Sequence, residues 1–224
     1  MKIRQAGFLP TTLLDYPGEV SSVIFLPGCN LTCPYCHNPT IVHPEIDTLD
    51  AIEDVLNAIY KRKNLIGAVV ISGGEPTLYE DLNEYIEMFK GWGLKVKLDT
   101  NGTNPSLIKT LKPDYIAMDL KTSLDKYPAI GFSDSVKILE SLNWLKVSGI
   151  DYEIRTTAAP IIFTKSDLIS ILPLLSGVER YFITNFNRGN TLDPSYNINE
   201  PYSVEELEEF KDICLDAGIN CTLR

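Results

Sequence analysis

The chain has 224 residues, 44% of them hydrophobic, and a formal net charge of −10. That length suits one large domain or two small ones, and the apolar fraction supports a full core, which excludes a disordered chain. The acidic balance lacks the basic footprint that meets phosphate, which argues against a nucleic-acid partner.

In chain order, short β-rich runs alternate with longer amphipathic stretches. Strands are predicted at 20–26 (VSSVIFL), 67–72 (GAVVIS), 95–100 (KVKLDT), 115–120 (YIAMDL), 151–157 (DYEIRTT), 180–186 (RYFITNF) and 219–223 (INCTL). Helices are predicted between them, at 48–63, 79–91, 105–111, 133–148, 165–176 and 203–217. In AIEDVLNAIY the apolar positions recur at three- and four-residue steps, as a one-sided helix requires. TLYE, from Thr77 to Glu80, and SVEE, from Ser203 to Glu206, have capping-box spacing. Asn104 precedes Pro105 as an N-cap before proline at the first helical position.

Strand and helix repeated about six times means parallel strands with helices outside, as an open doubly wound sheet or a full or partial barrel. No linker or repeat divides the chain, so a single domain over 1–224 is expected. No apolar run approaches the roughly 18 residues that span a bilayer. The N-terminal stretch lacks the pattern of a signal peptide, so a cytoplasmic protein without a membrane partner is expected. In parallel α/β folds the site lies at the carboxyl ends of the strands. The first of those loops, 27–47, is long enough to be functional.

That loop holds three of the five cysteines: in GCNLTCPYCHNP, Cys29, Cys33 and Cys36 have C-x3-C-x2-C spacing. In a reducing compartment such thiols are metal ligands or reactive groups, and soft thiolates take zinc, copper(I) or iron–sulfur clusters. A structural zinc site wants a fourth ligand; His37 adjoins Cys36 and is poorly placed, whereas His43 could reach from the end of the loop. A [4Fe–4S] cubane on three cysteines would keep one iron open and reactive. Thiols without metal are the plain alternative. Pro34 stiffens the turn, and Tyr35 can lay its ring near a cluster or its ligand.

An aromatic residue before the last cysteine of C-x3-C-x2-C resembles the radical S-adenosylmethionine (SAM) superfamily. The longer run LLDYPGEVSSVIFLPGCNLTCPYCHNP is similar to the glycyl-radical-enzyme activases, through DYPG before the first strand, GC opening the loop and CHNP closing it. Among these it is most similar to the activating proteins of anaerobic ribonucleoside-triphosphate reductases. The resemblance implies an α/β fold of the partial (β/α)6 radical SAM barrel type, with parallel strands and outer helices. It implies a [4Fe–4S] cluster on Cys29, Cys33 and Cys36, SAM on the unique iron, and a monovalent cation nearby. The implied activity is that of an oxidoreductase. Reductive cleavage of SAM would yield a 5′-deoxyadenosyl radical, which takes hydrogen from a glycine of a partner enzyme. That partner would be the anaerobic ribonucleotide reductase, and the electron donor a flavodoxin or ferredoxin.

The remaining strand ends carry further candidates. ISGGEPTL follows the second strand; by itself it is an ordinary strand-to-helix turn, and by resemblance Gly73, Gly74 and Glu75 meet the amino group of SAM. The third strand ends in Asp99, Thr100 and Asn101, and the fourth in Asp119 and Lys121. An acid in an apolar run is costly to bury unless paired or bound to a cation. A plain ion pair would account for Asp119 and Lys121, and the resemblance gives these five residues contact with SAM and the two acids a share in holding the cation. Strand alternation puts Glu153, Arg155 and Thr157 on one face, where Arg155 can bind a carboxylate if that face is interior. Asn185 ends the sixth strand as a ligand contact. Cys214 and Cys221, on the last helix and strand, read as small apolar fillers. Two rival functions stand beside the activase: a radical SAM enzyme acting on a small molecule or peptide, such as a 7-carboxy-7-deazaguanine synthase, and a non-enzymatic zinc-binding interaction module.

Overall fold

Apolar β-branched runs become strands, and one-sided apolar repeats become helices, in the computed structural model, which describes residues 1–42 and 49–224. His43, the candidate fourth zinc ligand, lies outside the described residues. The chain gathers into two compact units: Met1–Asn30, Asn38–Thr100 and Ser106–Ile116 form the first, and Leu31–His37, Asn101–Pro105 and Ala117–Arg224 the second.

In the first unit the strands are β1 (Gln5–Thr12), β2 (Ser21–Leu26), β3 (Asp50–Ala51), β4 (Ala68–Gly73) and β5 (Lys95–Thr100), in the order β3-β1-β2-β4-β5. β2, β4 and β5 are parallel, with Ser21 opposite Ala68 and Ala68 opposite Lys95. Ala68, Val69, Val70 and Ile71 are all fully buried, the continuous apolar run of a strand covered on both faces. The helices are α1 (Pro39–Val42), α2 (Ile52–Arg62) and α3 (Leu82–Gly91). α2 buries Ile52, Val55 and Ile59 along one stripe and ends on Lys61 and Arg62, cations that suit its C-terminal dipole.

β1 is antiparallel to both neighbours and has no counterpart among the predicted strands. Gly7 and Pro10 hide it, since both are depleted in strands. Proline is tolerated here because the register shifts between Leu9 and Thr12, as at a bulge.

α4 (Pro105–Ile108) and β6 (Tyr115–Asp119) give residues to both units. The second unit holds α5 (Val136–Leu145), β7 (Asp151–Ala158), α6 (Lys165–Leu175), β8 (Tyr181–Asn185), α7 (Val204–Asp216) and β9 (Cys221–Leu223). β7, β8 and β9 are parallel, with Arg155 opposite Phe182 and Tyr181 opposite Cys221. Among the described residues no helix is long and apolar enough to cross a membrane.

The predicted capping box of Ser203 and Glu206 forms at the start of α7, and Thr164 with Asp167 makes a second at α6. The box expected from Thr77 to Glu80 does not form. Thr77 lies instead in a 3-10 turn, Pro76–Leu78, whose N-cap is Glu75, and α3 starts only at Leu82. Asp81, just before α3, turns its carboxylate to the amide of Ile3, at 3.2 and 3.1 Å.

The end of β4 admits no side chain. Gly73 has φ +124°, and a Cβ there would lie 2.3 Å from the Leu26 carbonyl oxygen; one on Gly74 would lie 2.0 Å from that of Gly28. Both obstacles are backbone, which yields less readily than a flexible side chain. Gly74→Ala is therefore expected to cost about 1–3 kcal/mol, the range for overpacking, read as a lower urea midpoint at unchanged slope. An unchanged midpoint would show that Gly28 moves aside freely.

Candidate functional site

In the first unit the chemistry clusters where β2, β4 and β5 end. The Gly74 amide donates to Leu26 O at 2.9 Å and the Glu75 amide to Gly28 O at 2.8 Å, so the Gly-Gly-Glu turn is tied to the start of the cysteine loop. Gly28 itself takes φ +85° and donates to Ile41 O at 2.8 Å. Cys29, one residue on, is half-buried.

Glu75 is fully buried and its carboxylate is engaged within the protein. Oε1 accepts from the Thr77 amide at 3.0 Å, from the Thr77 hydroxyl, and from the Thr100 hydroxyl at 2.7 Å. In this arrangement Glu75 shapes the turn and ties it to the end of β5. The neighbouring acid on β5, Asp99, pairs with Lys97 at 2.8 Å and accepts from Ser72 Oγ at 3.1 Å. Lys97 is almost fully buried and also donates to Asp15 O at 2.8 Å, which anchors the DYPG segment.

In the second unit Asp119, at the end of β6, is the centre of an ion triad. Arg155 Nε reaches Oδ1 at 2.8 Å and Lys121 Nζ reaches Oδ2 at 2.9 Å. The face of β7 that strand alternation gives to Arg155 is the one turned to this site, and the carboxylate it meets belongs to Asp119. Burial by itself would raise the Asp119 carboxyl; the charges of Arg155 and then Lys121, with their hydrogen bonds, overcome it and hold the group well below the usual carboxylate range. Burial likewise opposes the charge on Lys121, but Asp119, and then Cys33, raise its pKa above the ordinary lysine value.

Cys33 is buried and Cys36 half-buried, and the Cys36 amide donates to Cys33 O at 3.0 Å. Between them Tyr35 is 4% exposed. Burial, and then negative charge at Cys33 and Asp119, push its phenol well above the ordinary tyrosine value. Asn101 is buried and folds back on itself: its Oδ1 accepts from the Thr103 amide at 3.0 Å and the Thr103 hydroxyl at 2.6 Å, an Asx turn. Asn185 Nδ2 donates to Tyr202 O at 2.7 Å, while its Oδ1 is buried without a partner.

Two groups here carry no pattern in the sequence. Tyr127, from the 3-10 segment Leu124–Ile130, is fully buried; its Oη accepts from the Lys121 amide at 3.1 Å, and its charge neighbours are Lys121, Cys33 and Asp119. The segment after β8 straps the cysteine loop. Leu192 N donates to Cys36 O at 2.8 Å and Asp193 N to Pro34 O at 3.1 Å. Tyr196 lies 6.1 Å from Tyr35, centroid to centroid, and 5.1 Å from Phe186, which stacks on His37. His37 is thus part of an aromatic cluster. The only sequence signal was the position of this segment after a strand end.

Cys214 and Cys221 are buried, as expected of apolar fillers, and hydrogen-bonded to one another. That bond, followed by burial, raises the Cys214 thiol; the same bond draws Cys221 down against the effect of burial. Among the described residues no three His, Cys, Asp or Glu side chains converge as ligands of a single ion would.

Parallel strands with polar and charged side chains gathered near their carboxyl ends make this an α/β enzyme architecture. Residues 23–171 match the family model of the radical SAM superfamily. The chain belongs to that superfamily. A Methanocaldococcus jannaschii protein provisionally named a glycyl-radical enzyme activating enzyme is 34% identical over 100% of this chain and 97% of its own. The pyruvate formate-lyase-activating enzyme of Clostridium pasteurianum is 26% identical over 89% of each chain. Among solved structures, Streptococcus suis SuiB bound to S-adenosylmethionine shares the fold at TM-score 0.65 and 16% identity, over 90% of this chain. This chain spans about half of the SuiB chain, 51%.

Membership implies SAM and an iron–sulfur cluster as cofactors. The residues present fit both. The C-x3-C-x2-C loop supplies three cysteines, whose soft thiolates suit an iron–sulfur cluster. In the second unit Arg155 and Lys121 outweigh the single charge of Asp119, leaving net positive charge for a carboxylate ligand, and Asn185 Oδ1 is an orphaned buried acceptor.

Proposed function

We propose that this protein is a glycyl-radical-enzyme activase serving an anaerobic ribonucleotide reductase. The observation that carries the activase reading is a full-length likeness to a protein provisionally named a glycyl-radical enzyme activating enzyme, a name that specifies no partner. It is joined by the DYPG, GC and CHNP features around the cysteines. With a [4Fe–4S] cluster and SAM bound, the chemistry supplied is one-electron cleavage of the sulfonium to a 5′-deoxyadenosyl radical that takes hydrogen from a glycine Cα.

The chain's own groups hold and orient. Cys29, Cys33 and Cys36 would hold the cluster. The backbone of Gly73 and Gly74 receives the amino group, and Glu75 acts through the turn it caps, with Thr100 as its second support. Asn101 shapes the turn after β5. Arg155 and Lys121 would draw in the SAM carboxylate, and Asn185 Oδ1 would accept from a hydrogen-bond donor elsewhere on SAM. A monovalent cation at Asp99 would compete with Lys97, and one at Asp119 with Arg155 and Lys121. A flavodoxin or ferredoxin supplies the electron.

The test is to mix the reconstituted protein, SAM, reductant and the reductase anaerobically. Electron paramagnetic resonance is expected to show a glycyl radical on the reductase. SAM cleavage without that signal would reject this partner and point to another glycyl-radical enzyme or to a small-molecule or peptide substrate.

A further inference from the structure

The segment after β8 closes on itself over residues 188–199. Arg188 Nε donates to Asn199 O at 3.1 Å. Asn197 bonds across the loop: its Oδ1 accepts from the Gly189 amide at 3.0 Å, and its Nδ2 donates to Gly189 O at 2.8 Å and to Thr191 Oγ1 at 2.9 Å. A surface loop whose ends meet and whose own side chains pack it is an Ω-loop, a form that is frequently functional. Asp193, Pro194, Ser195 and Ile198 are exposed on it, and Tyr196 is buried beneath. The Tyr196 ring lies against Tyr35 and Phe186, and its hydroxyl donates to Pro160 O, just past the end of β7.

The inner edge of this loop meets the turn from Cys33 to Cys36. Leu192 N donates to Cys36 O at 2.8 Å and Asp193 N to Pro34 O at 3.1 Å, while the turn closes with its own bond from Cys36 N to Cys33 O at 3.0 Å. On its other side Thr32 N donates to Ile130 O at 2.9 Å. All four bonds are backbone to backbone and leave the thiols out, so the shape of the turn is set by protein and not by a ligand on sulfur. Gathering thiolates from an unheld turn would cost its backbone freedom, and a turn already held loses less on binding. We propose that the loop 188–199 is a clamp that pre-orders the Cys33–Cys36 turn for its cluster, and that Asn197 is the positioning residue that keeps the clamp closed. The inference rests on the cluster reading of these cysteines and not on the identity of the partner enzyme.

The experiment uses the full chain, reconstituted anaerobically with iron and sulfide, and follows the decay of the visible iron–sulfur absorption under excess ferrous chelator. Asn197→Ala is expected to lose its cluster about two- to tenfold faster than wild type, the factor a single net hydrogen bond is worth. Ile171→Val, which trims a fully buried side chain on α6, is the control for general destabilisation and should decay at the wild-type rate. Equal decay of Asn197→Ala and wild type overturns the proposal, and so does an Ile171→Val protein that decays as fast as Asn197→Ala. Should Asn197→Ala not fold, wild type purified without iron decides by hydrogen exchange. The amides of Leu192 and Asp193 are expected to be protected there, and exchange at the rate of an open loop overturns the proposal. Wild type that takes up no iron overturns the cluster reading instead, so the two failures are distinguishable.

Discussion

Cys33→Ala protein, reconstituted anaerobically with iron and sulfide, is expected to hold less than about a tenth of the wild-type iron and to cleave no SAM. Loss of even an outer-shell partner lowers metal affinity by roughly 10–100-fold, and this change removes a proposed ligand itself. Cys33 is the buried member of the trio, and its polar surroundings, Lys121, Tyr35 and Tyr127, answer to its charge. Cys29→Ala and Cys36→Ala are expected to behave alike, because three thiolates are the minimum that keeps a cubane on the chain with one iron open. Cys214→Ser is the control. Its thiol is buried against Cys221, and the variant should load iron as wild type does. Iron content and the visible iron–sulfur absorption read the outcome. A Cys33→Ala protein with wild-type iron would remove this residue from the ligand set. Wild type that takes zinc and never turns brown would return the chain to the zinc-module reading.

The parallel strands were legible as short β-rich runs, of which Ala68 to Ile71 is fully buried and apolar. The cysteine spacing was legible because three cysteines fall within eight residues of one loop. β1 was not, because Pro10 and Gly7 break its pattern and the bulge that accommodates them is set by pairing with β2. Thr77 kept its hydrogen-bonding role but changed its partner. Glu75, two residues before it, took the cap because Thr100, from β5, gave its carboxylate a buried second donor. Tyr127 and Tyr196 carried no signal, since each meets the cysteine loop across more than ninety residues of chain. Nothing local marks a residue chosen by such contacts. Arg155 lay between. Alternation grouped it with Glu153 and Thr157 on one face without saying where that face points, and the fold turns Arg155 to the carboxylate of Asp119.

The Asp119 triad makes the second large prediction. Asp119→Asn leaves Arg155 and Lys121 facing a neutral amide in a site that is only about a quarter open to solvent, with side-chain exposures of 23% and 19% for the two cations. Breaking a fully buried pair costs about 3–5 kcal/mol; solvent at this site screens part of that, so a loss of about 2 kcal/mol at pH 7 is expected. For a chain of this size that is a fall of roughly 4–8 °C in melting temperature. The dependence on pH separates lost charge pairing from lost packing. The folded carboxyl is held below its unfolded value of about 3.9. Its contribution is therefore complete above that value and is lost as pH falls through the folded value. The stability gap between wild type and Asp119→Asn should be full at pH 7 and narrow progressively below about pH 4. Urea midpoints at pH 7 and pH 3 measure it. A gap of equal size at both would mean that the cost lies in shape and hydrogen bonding, and that the two cations are already neutralised by something other than Asp119. SAM affinity should move with the charge. The variant gains a unit of positive charge where a carboxylate ligand is proposed to bind, so tighter SAM binding alongside lower stability is the expected signature, and weaker binding would give Asp119 a direct role in holding the cofactor.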